Sequence, residues 1–373
     1  MLEKSIDKSF VYDYKLIFIV ASLLAVGLLM VASASMVVSD QKFHTPFHFL
    51  VHQMFYVGLG FVIAFYIIKL PINFWQTHGP RLLLITIGLL LLVLVPHVGR
   101  EVNGSIRWIG VGPFGLQVSE LAKLSFIIYL SGYLVRREVE VRSRFSGFLK
   151  PLLVLGIIGI LLLSEPDFGA TAVIVATAMG MIFMAGARVW QFVLLLILVV
   201  IVMALMAVAS PYRVLRLTTF LHPWANQFSS GYQLTQSLIA FGRGSWFGVG
   251  LGNSIQKLFY LPEAHTDFLF AVLAEELGFV GDMVVIGLFV ALCAKIMFIG
   301  KRAFVAGKQF HAYLSYGICL WFSMQTIVNI GVDAGLLPTK GLTLPFMSYG
   351  GSSMLLNCIA CGIVLRIYHE INS

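Results

Sequence analysis

Residues 189–210 form the stretch VWQFVLLLILVVIVMALMAVAS, which decides the class of protein. It contains no Asp, Glu, Lys or Arg, and it is long enough to cross a bilayer as a helix of about 20 residues. It also lacks the polar and apolar alternation over about ten residues that is typical of membrane β-barrel strands. The stretch therefore predicts a transmembrane helix.

The same criterion, applied along the chain, predicts an all-α polytopic membrane protein with about ten transmembrane helices. Hydrophobic residues make up 59% of the 373 residues and charged residues 11%, and the mean hydropathy is +0.93. A soluble protein has about 25% charged residues, so the composition excludes that class. The predicted spans are 16–38, 49–70, 80–98, 114–134, 150–164, 168–187, 189–210, 268–299, 311–332 and 346–368.

Lys and Arg residues are unequally distributed over the predicted loops. Sixteen lie on the side that holds both termini and eight on the other side, where four share one long loop. Because cytoplasmic loops carry the excess of Lys and Arg, both termini are predicted to be cytoplasmic. The net charge of +8 is then mainly a topological signal. No basic stripe with interleaved aromatic residues indicates binding to nucleic acid.

The loops rich in polar residues, Gly and Pro all fall on the predicted outer side. We interpret the chain as a single domain, 1–373, with a large extracytoplasmic loop, 211–267, between the seventh and eighth helices. The sequence has no G-x-x-x-x-G-K-[ST] phosphate-binding loop, and an outer surface has no access to ATP. A reaction there needs a substrate that was activated beforehand.

Three polar residues near the start of the fourth predicted helix share one face. Gln117, Glu120 and Lys123 recur every three residues, and Glu120 lies within pairing reach of Lys123. Ionisable residues inside a membrane helix are costly unless they are paired or line a cavity, so they indicate a functional site. An ion pair that holds two helices together explains them equally well, and both interpretations stay open.

Asp267 lies just before the eighth predicted helix, where it should reach the outer mouth of the helix bundle. Thr266 or Asp267 can cap the first helical turn, which would be a purely structural role. Alternatively, Asp267 is a partly desolvated general base whose pKa approaches the working pH. The deeper acids Glu275 and Asp282 are expected to bind other helices.

Three histidines, His44, His48 and His52, follow one another at intervals of four residues. This spacing would suit metal ligands on a helix. Pro46 interrupts it, and no acidic partners are evident. We therefore interpret them as interfacial histidines and predict no metal site.

Several motifs occur in order along nearly the whole chain. They are NGSIRWI (103–109), QVSELAK (117–123), PDFG (166–169), GYQLTQS (231–237), LPEAHTD (261–267) with EELG (275–278), and LPTKGLTLPFMSYGGSS (337–353). Together they resemble the SEDS family (shape, elongation, division and sporulation), its division branch more than its elongation branch. Val118 stands where the family usually has Pro.

The resemblance implies a peptidoglycan glycosyltransferase of the bacterial cytoplasmic (inner) membrane that acts at the division septum. Such an enzyme joins lipid II disaccharides by β-1,4 linkages and releases undecaprenyl pyrophosphate. Its implied partners are a class B penicillin-binding transpeptidase of the FtsI type and other divisome proteins. A lipid II flippase, or a non-catalytic scaffold for a septal transpeptidase, is the alternative function.

The family's essential aspartate corresponds to Asp267, the expected catalytic base. Arg107, Lys123 and Lys340 are expected to neutralise the pyrophosphate, and Trp108 to pack against sugar or isoprenoid. A divalent cation, Mg²⁺ or Mn²⁺, is compatible with this chemistry, although no ligand motif specifies one. The full set of expected substrate-binding residues is Arg107, Trp108, Gln117, Ser119, Glu120, Lys123, His265, Thr266 and Lys340.

Overall fold

The computed structural model describes residues 11–96, 98–102, 105–111, 114–194, 197, 201, 220–338 and 341–373. Within these ranges the chain is mainly helical, with one small antiparallel sheet. The helices are α1 (Tyr14–Phe43), α2 (His48–Lys69), α3 (Ile72–Val93), α4 (Val118–Arg136), α5 (Glu138–Ser143), α6 (Phe145–Ser164), α7 (Phe168–Met184), α8 (Tyr232–Gly244), α9 (Leu269–Val305), α10 (Gln309–Asp333) and α11 (Gly351–Asn372). The strands are β1 (Arg100–Val102), β2 (Ser105–Val111) and β3 (Phe114–Gln117).

Seven of the described helices are long and apolar enough to cross a membrane, namely α1, α2, α3, α4, α6, α9 and α11. The predicted sixth and ninth spans are also helical, as α7 and α10, and α7 is a shorter apolar helix of 17 residues. Residues 189–194 are helical, but most of the predicted span 189–210 lies outside the described residues. The chain is therefore a multi-pass membrane protein, and the number ten stays a prediction.

Four spans begin several residues away from the predicted position: the third, fourth, fifth and tenth. The fifth was predicted from residue 150, but α6 starts at Phe145, and the tenth was predicted from residue 346, but α11 starts at Gly351. The prediction for the third span started at Pro80, whereas α3 starts at Ile72 and contains this proline. The fourth span was predicted from residue 114, but residues 114–117 form strand β3 and α4 follows it directly. At the fourth span the difference arises because a short apolar strand and a helical turn cannot be distinguished by hydropathy alone. At the third span the first turns of α3 carry the polar residues Asn73, Gln76, Thr77 and His78, so hydropathy does not mark them as part of a span.

Helix α4 lies at the centre of the bundle. It packs against α3, α6, α7, α10 and α11. In the most apolar 18-residue stretch of α4, 83% of the residues are buried inside the protein, compared with 22% for the corresponding stretch of α2. The polar residues of α4 consequently face other helices and not lipid.

The alternation of helix directions brings many termini to one end of the bundle, which we call the loop-rich end. Helices α1, α3, α6 and α10 finish there, and α2, α4, α7, α9 and α11 begin there. The three-stranded sheet also lies at this end, in the order β1-β2-β3 with antiparallel pairing. The predicted spans 80–98 and 114–134 leave only a loop between them, so the sequence does not predict these strands. The β3 edge of the sheet is bound by Ser352 of α11. The Ser352 hydroxyl accepts the Gln117 N–H at 2.9 Å and donates to the Gly115 carbonyl at 2.9 Å.

Helix α9 is broken at Gly278, whose φ of 66° lies in the left-handed region. The segment after α8 docks on this break, so close that a Cβ on Gly278 would lie 2.3 Å from the main-chain nitrogen of Gly248. The break leaves main-chain groups of α9 without partners inside the helix, and these groups form hydrogen bonds with the docked segment instead. The four hydrogen bonds are Val249 N to Glu275 O at 3.0 Å, Gly250 N to Glu276 O at 3.1 Å, Phe279 N to Ser245 O at 2.9 Å and Val280 N to Trp246 O at 3.1 Å. A broken helix inside a membrane is tolerated because protein groups satisfy its backbone in this way.

Two fully buried glutamates next to the break, Glu275 and Glu276, bind α8, α1 and the loop between α8 and α9. Glu275 pairs with Arg243 of α8 at 3.1 Å, which confirms that this deep acid binds another helix. For Asp282, Oδ1 has no hydrogen-bond partner among the described residues. Glu276 accepts hydrogen bonds from Lys257 Nζ at 2.8 Å and from Ser33 Oγ of α1 at 2.7 and 2.8 Å. The first half of α9 is thus held by α1, α8 and the loop between α8 and α9.

Candidate active site

Asp267 lies in the loop that precedes α9 and is half-buried at the loop-rich end. Its main-chain oxygen accepts a hydrogen bond of 2.7 Å from the side-chain amide of Asn329, which also donates to the Leu342 carbonyl at 2.7 Å. Gly341 is close on the other side, since a Cβ there would lie 2.7 Å from Asp267 Oδ2. Helix α10 and the segment 341–344 therefore fix the position of this loop.

Neither Thr266 nor Asp267 caps α9, so this prediction was wrong. The N-cap residue is Phe268, and its side chain makes no capping hydrogen bond. Instead, Thr266 Oγ1 lies 3.1 Å from the carbonyl oxygen of Glu263 and 2.7 Å from its Oε2. The same carbonyl accepts the N–H groups of Thr266 and Phe268, so the loop closes on itself and leaves the Asp267 carboxyl free of a capping role.

The surroundings of Asp267 raise its pKa to about 7. Burial is the main cause because it disfavours the charged form, and the negative charges of Glu263 and Asp167 act in the same direction. Arg107 opposes them. A carboxyl with a pKa near 7 can accept a proton at neutral pH and release it again, as a general base requires.

Arg107 on β2 binds the turn between α6 and α7. Its Nε donates to the carbonyl of Glu165 at 3.2 Å, and its Nη2 donates to the carbonyl of Pro166 at 2.6 Å. Its Nη1 lies 3.9 Å from Asp167 Oδ1, and that oxygen also caps α7 by accepting the Ala170 N–H at 3.1 Å. Arg107 therefore joins the sheet to the α6–α7 turn.

Three buried acids were not among the expected site residues: Asp167 and Asp333, which interact electrostatically with Asp267, and Glu165, which interacts with Asp167 and Arg107. Glu165 is completely buried, and neither of its carboxyl oxygens has a partner among the described residues. Burial, reinforced by Asp167 and opposed by Arg107, raises the pKa of Glu165 to about 8. Asp333 is also buried, at the end of α10, and interacts electrostatically with Asp267. The PDFG motif signalled Asp167, but nothing in the local sequence indicated that Asp333 interacts with Asp267 or that Glu165 is buried beside Asp167 and Arg107.

Trp108, Gln117 and Ser119 lie where the sheet meets α4. Trp108 pairs with Gln117 across β2 and β3, and its ring covers Gly115. The side-chain amide of Gln117 donates to Ser119 Oγ at 3.1 Å. These residues shape the junction, and their contact with substrate stays a prediction.

Glu120 and Lys123 form the predicted ion pair, with 2.7 Å between Oε1 and Nζ, and both are buried. Lys123 also donates to Gln325 Oε1 at 2.7 Å, and the Gln325 amide donates to the Thr343 carbonyl at 2.8 Å. The pairing is confirmed, and it extends to α10 and the segment 341–344. Lys123 is only 1% exposed, so in this conformation the pair supports the segment beside Asp267 without opening to solvent.

His265 is half-buried two residues before Asp267, and its carbonyl accepts the Tyr349 N–H at 3.0 Å. Lys340 lies outside the described residues. The structure thus brings Arg107, His265 and Thr266 to the neighbourhood of Asp267, and it places Glu120 and Lys123 one layer deeper. Asn329 and Gln325 of α10 connect the two layers.

The family model for FtsW, RodA and SpoVE, described as "Cell cycle protein", matches residues 14–373. The chain belongs to this family. Every site residue named above falls within the match, and membership confirms the resemblance that the motifs indicated.

Relatives of high identity carry one name. The probable peptidoglycan glycosyltransferase FtsW of Coxiella burnetii is 56% identical over 369 residues, which cover 99% of each chain. The probable peptidoglycan glycosyltransferase FtsW of Legionella pneumophila is 54% identical and covers 96% of this chain and 91% of its own length.

Solved structures share the fold over nearly the full length. A chain described under "Structural coordination of polymerization and crosslinking by a peptidoglycan synthase complex" has a TM-score of 0.79 at 29% identity, covering 96% of this chain and 98% of that chain. The rod shape determining protein RodA of Thermus thermophilus has a TM-score of 0.71 at 29% identity, with 97% and 98% covered. The all-α polytopic fold is therefore confirmed.

Proposed function

We propose that this chain is a peptidoglycan glycosyltransferase that joins the disaccharides of lipid II by β-1,4 linkages. The observation that carries the proposal is Asp267, a half-buried carboxyl whose pKa of about 7 suits a general base and which is surrounded by Arg107 and further buried acids. The names of the FtsW relatives support the same reaction. No phosphate-binding loop is present in the sequence, which agrees with a substrate that brings its own leaving group.

In the proposed reaction, Asp267 takes the proton from the 4-hydroxyl of the acceptor N-acetylglucosamine. The acceptor oxygen attacks the anomeric carbon of the donor N-acetylmuramic acid, and the bond between that carbon and the pyrophosphate oxygen breaks. Attack from the face opposite the leaving group converts the α-linked donor into a β-1,4 linkage. Undecaprenyl pyrophosphate leaves, and Asp267 returns its proton to solvent or to the leaving group.

Arg107 is the described cation that we propose for the developing pyrophosphate charge. It interacts electrostatically with Asp267 and its side chain is 23% exposed. A guanidinium has five N–H donors, and only two hydrogen bonds to the α6–α7 turn use them. The remaining donors can bind phosphate oxygens. Lys340 stays a second proposed cation.

A divalent cation, Mg²⁺ or Mn²⁺, stays a separate proposal. Among the residues that the structure describes, no three His, Cys, Asp or Glu side chains are grouped as metal ligands. Chelation with EDTA in the polymerisation assay tests whether a divalent cation is needed.

We further propose that the loop-rich end faces outward from the cytoplasmic membrane at the division septum. The excess of Lys and Arg on the opposite side supports this orientation. A class B transpeptidase of the FtsI type is the proposed partner, together with other divisome proteins. Similarity to a chain of a complex that coordinates polymerisation and crosslinking supports such a partner.

The test is polymerisation of lipid II in detergent by the full chain, purified with its transpeptidase partner. Wild type is compared with Asp267→Asn and with a matched control, Asp40→Asn, which changes an exposed acid at the loop-rich end. We expect glycan polymer from wild type and from the control but not from Asp267→Asn. Equal polymer from all three would contradict the general base, and none from wild type would favour the transporter or scaffold.

A further inference from the structure

A row of aromatic and imidazole rings leads from the end of α1 towards Asp267. Phe43 stacks on His48 with 3.8 Å between ring centroids and 12° between planes, and His48 lies 4.5 Å from His52. Phe49 contacts Phe43 edge-on at 5.6 Å and lies 4.5 Å from the ring of His265. Tyr349 completes the set, which we call the ring row: Phe43, His48, Phe49, His52, His265 and Tyr349.

Hydrogen bonds to the main chain hold both ends of the ring row in place. At one end, buried Ser39 donates to the Thr45 carbonyl at 2.7 Å and accepts the His48 N–H at 3.0 Å, which fixes the turn between α1 and α2. At the other end, the Tyr349 N–H donates to the His265 carbonyl. The rings are therefore presented by a fixed backbone, as a binding surface requires.

The ring row offers apolar faces together with polar edges. Phe43 is 43% exposed, and the imidazoles of His48, His52 and His265 are half-buried. Burial, assisted by Lys42 and opposed by Glu263, lowers the pKa of His265, so its ring is neutral at pH 7. A neutral imidazole has one donor and one acceptor nitrogen.

This combination matches the chemistry of an N-acetylhexosamine ring. One face of such a sugar consists of C–H groups that pack on an aromatic ring, while its edge carries hydroxyl and acetamido groups for hydrogen bonds. His265 precedes Asp267 by two residues, so a sugar on the ring row would be continuous with one whose hydroxyl faces Asp267. We infer that the ring row is a binding subsite for the N-acetylhexosamine rings of the glycan substrate, an inference that rests on the proposed function.

The competing occupant is the lipid bilayer, because aromatic rings also gather at membrane interfaces. The chain supplies a matched control for this alternative. Phe47 lies in the same α1–α2 turn and is 47% exposed, close to the value for Phe43, but it is not part of the ring row. Because the two rings are about equally exposed, we expect Phe43→Leu and Phe47→Leu to change contact with lipid to a similar extent, whereas only Phe43→Leu removes a ring of the proposed subsite.

The test measures binding of the water-soluble disaccharide GlcNAc-MurNAc-dipeptide, which lacks lipid and pyrophosphate, to the full chain in detergent. Saturation-transfer NMR and calorimetry are applied to wild type, Phe43→Leu, His48→Leu and Phe47→Leu. We expect roughly tenfold weaker binding for Phe43→Leu and His48→Leu, since each loses one stacking contact. Phe47→Leu should bind like wild type.

Two outcomes overturn the subsite: no binding by wild type, or the same affinity for Phe43→Leu, His48→Leu and Phe47→Leu. Thermal melting of each variant accompanies the titrations. If Phe43→Leu fails to fold, His48→Leu decides the question by itself. Failure of the proposed function gives a different result, because wild type would then bind the disaccharide but form no polymer from lipid II.

Discussion

Replacement of Asp267 by Asn should stabilise the folded chain, and by more at pH 8 than at pH 5. In the unfolded chain the carboxyl ionises near its ordinary pKa of about 3.9, whereas in the folded chain the pKa is about 7. Between these values the folded state holds a proton that the unfolded state has released. The stability of wild type therefore falls as pH rises through this window and levels off above pH 7. Asn carries no charge at any of these pH values.

The size of the effect follows from the pKa and the burial of the side chain. Inside the window, the free energy of unfolding of wild type falls by at most about 1.4 kcal/mol for each pH unit. The largest possible fall between pH 5 and pH 7 is therefore about 2.7 kcal/mol. Because Asp267 is only half-buried, solvent screening reduces this fall in stability. We expect the stability difference between Asp267→Asn and wild type to grow by about 1 kcal/mol, or roughly 2 °C in melting temperature.

The assay is thermal unfolding in detergent at pH 5 and pH 8 for wild type, Asp267→Asn and the exposed control Asp40→Asn. The melting temperature of Asp267→Asn should exceed that of wild type by more at pH 8 than at pH 5. The melting temperature of Asp40→Asn should follow that of wild type at both pH values. A difference that is equal at the two pH values, or smaller at pH 8, would refute the raised pKa of Asp267.

Three further predictions concern the rate, the buried ion pair and the broken helix. For polymerisation, kcat/KM should fall about tenfold per pH unit below pH 7 as Asp267 becomes protonated, and a flat profile down to pH 5 would count against the base. Glu120→Gln and Lys123→Met should each lower the free energy of unfolding by about 3–5 kcal/mol, because each leaves one buried charge unpaired. In thermal melts, the double variant should lose less stability than the two single variants lose together. A loss equal to their sum would show that the two residues are not coupled. Full polymerisation by both single variants would show that the pair is dispensable for activity. Gly278→Ala should abolish a monodisperse peak in size-exclusion chromatography, since its Cβ would lie 2.3 Å from Gly248 N, whereas Gly287→Ala has no atom within 4 Å of the new Cβ and should behave like wild type.

The long apolar segments were predictable because hydropathy reports directly on burial in lipid. The predicted span 268–299 corresponds to α9, but its break at Gly278 was not foreseen. A glycine inside a helical pattern is often tolerated, and the break depends on hydrogen bonds from residues 245–250, which lie far away in the sequence. The small sheet was missed for a similar reason, since its strands are three to seven residues long and its β3 edge is bound by Ser352 of α11.

Local spacing predicted those parts of the candidate site that lie within one helical turn. The Glu120–Lys123 pair follows from an interval of three residues, and its geometry is confirmed. The third partner of the pair, Gln325, is 202 residues beyond Lys123 in the sequence, and no local pattern indicates such a contact. The capping role predicted for Thr266 failed because the loop bonds back to Glu263, where φ is 58°.

The proposed function depends most on lipid II polymerisation with Asp267 as the base. The most direct measurement is the number of undecaprenyl pyrophosphate molecules released for each disaccharide joined, by the full chain with its transpeptidase partner blocked by a β-lactam. We predict one molecule released per linkage formed by wild type, and neither product from Asp267→Asn. Movement of lipid II across vesicles without polymer, or equal release by wild type and Asp267→Asn, would contradict the account.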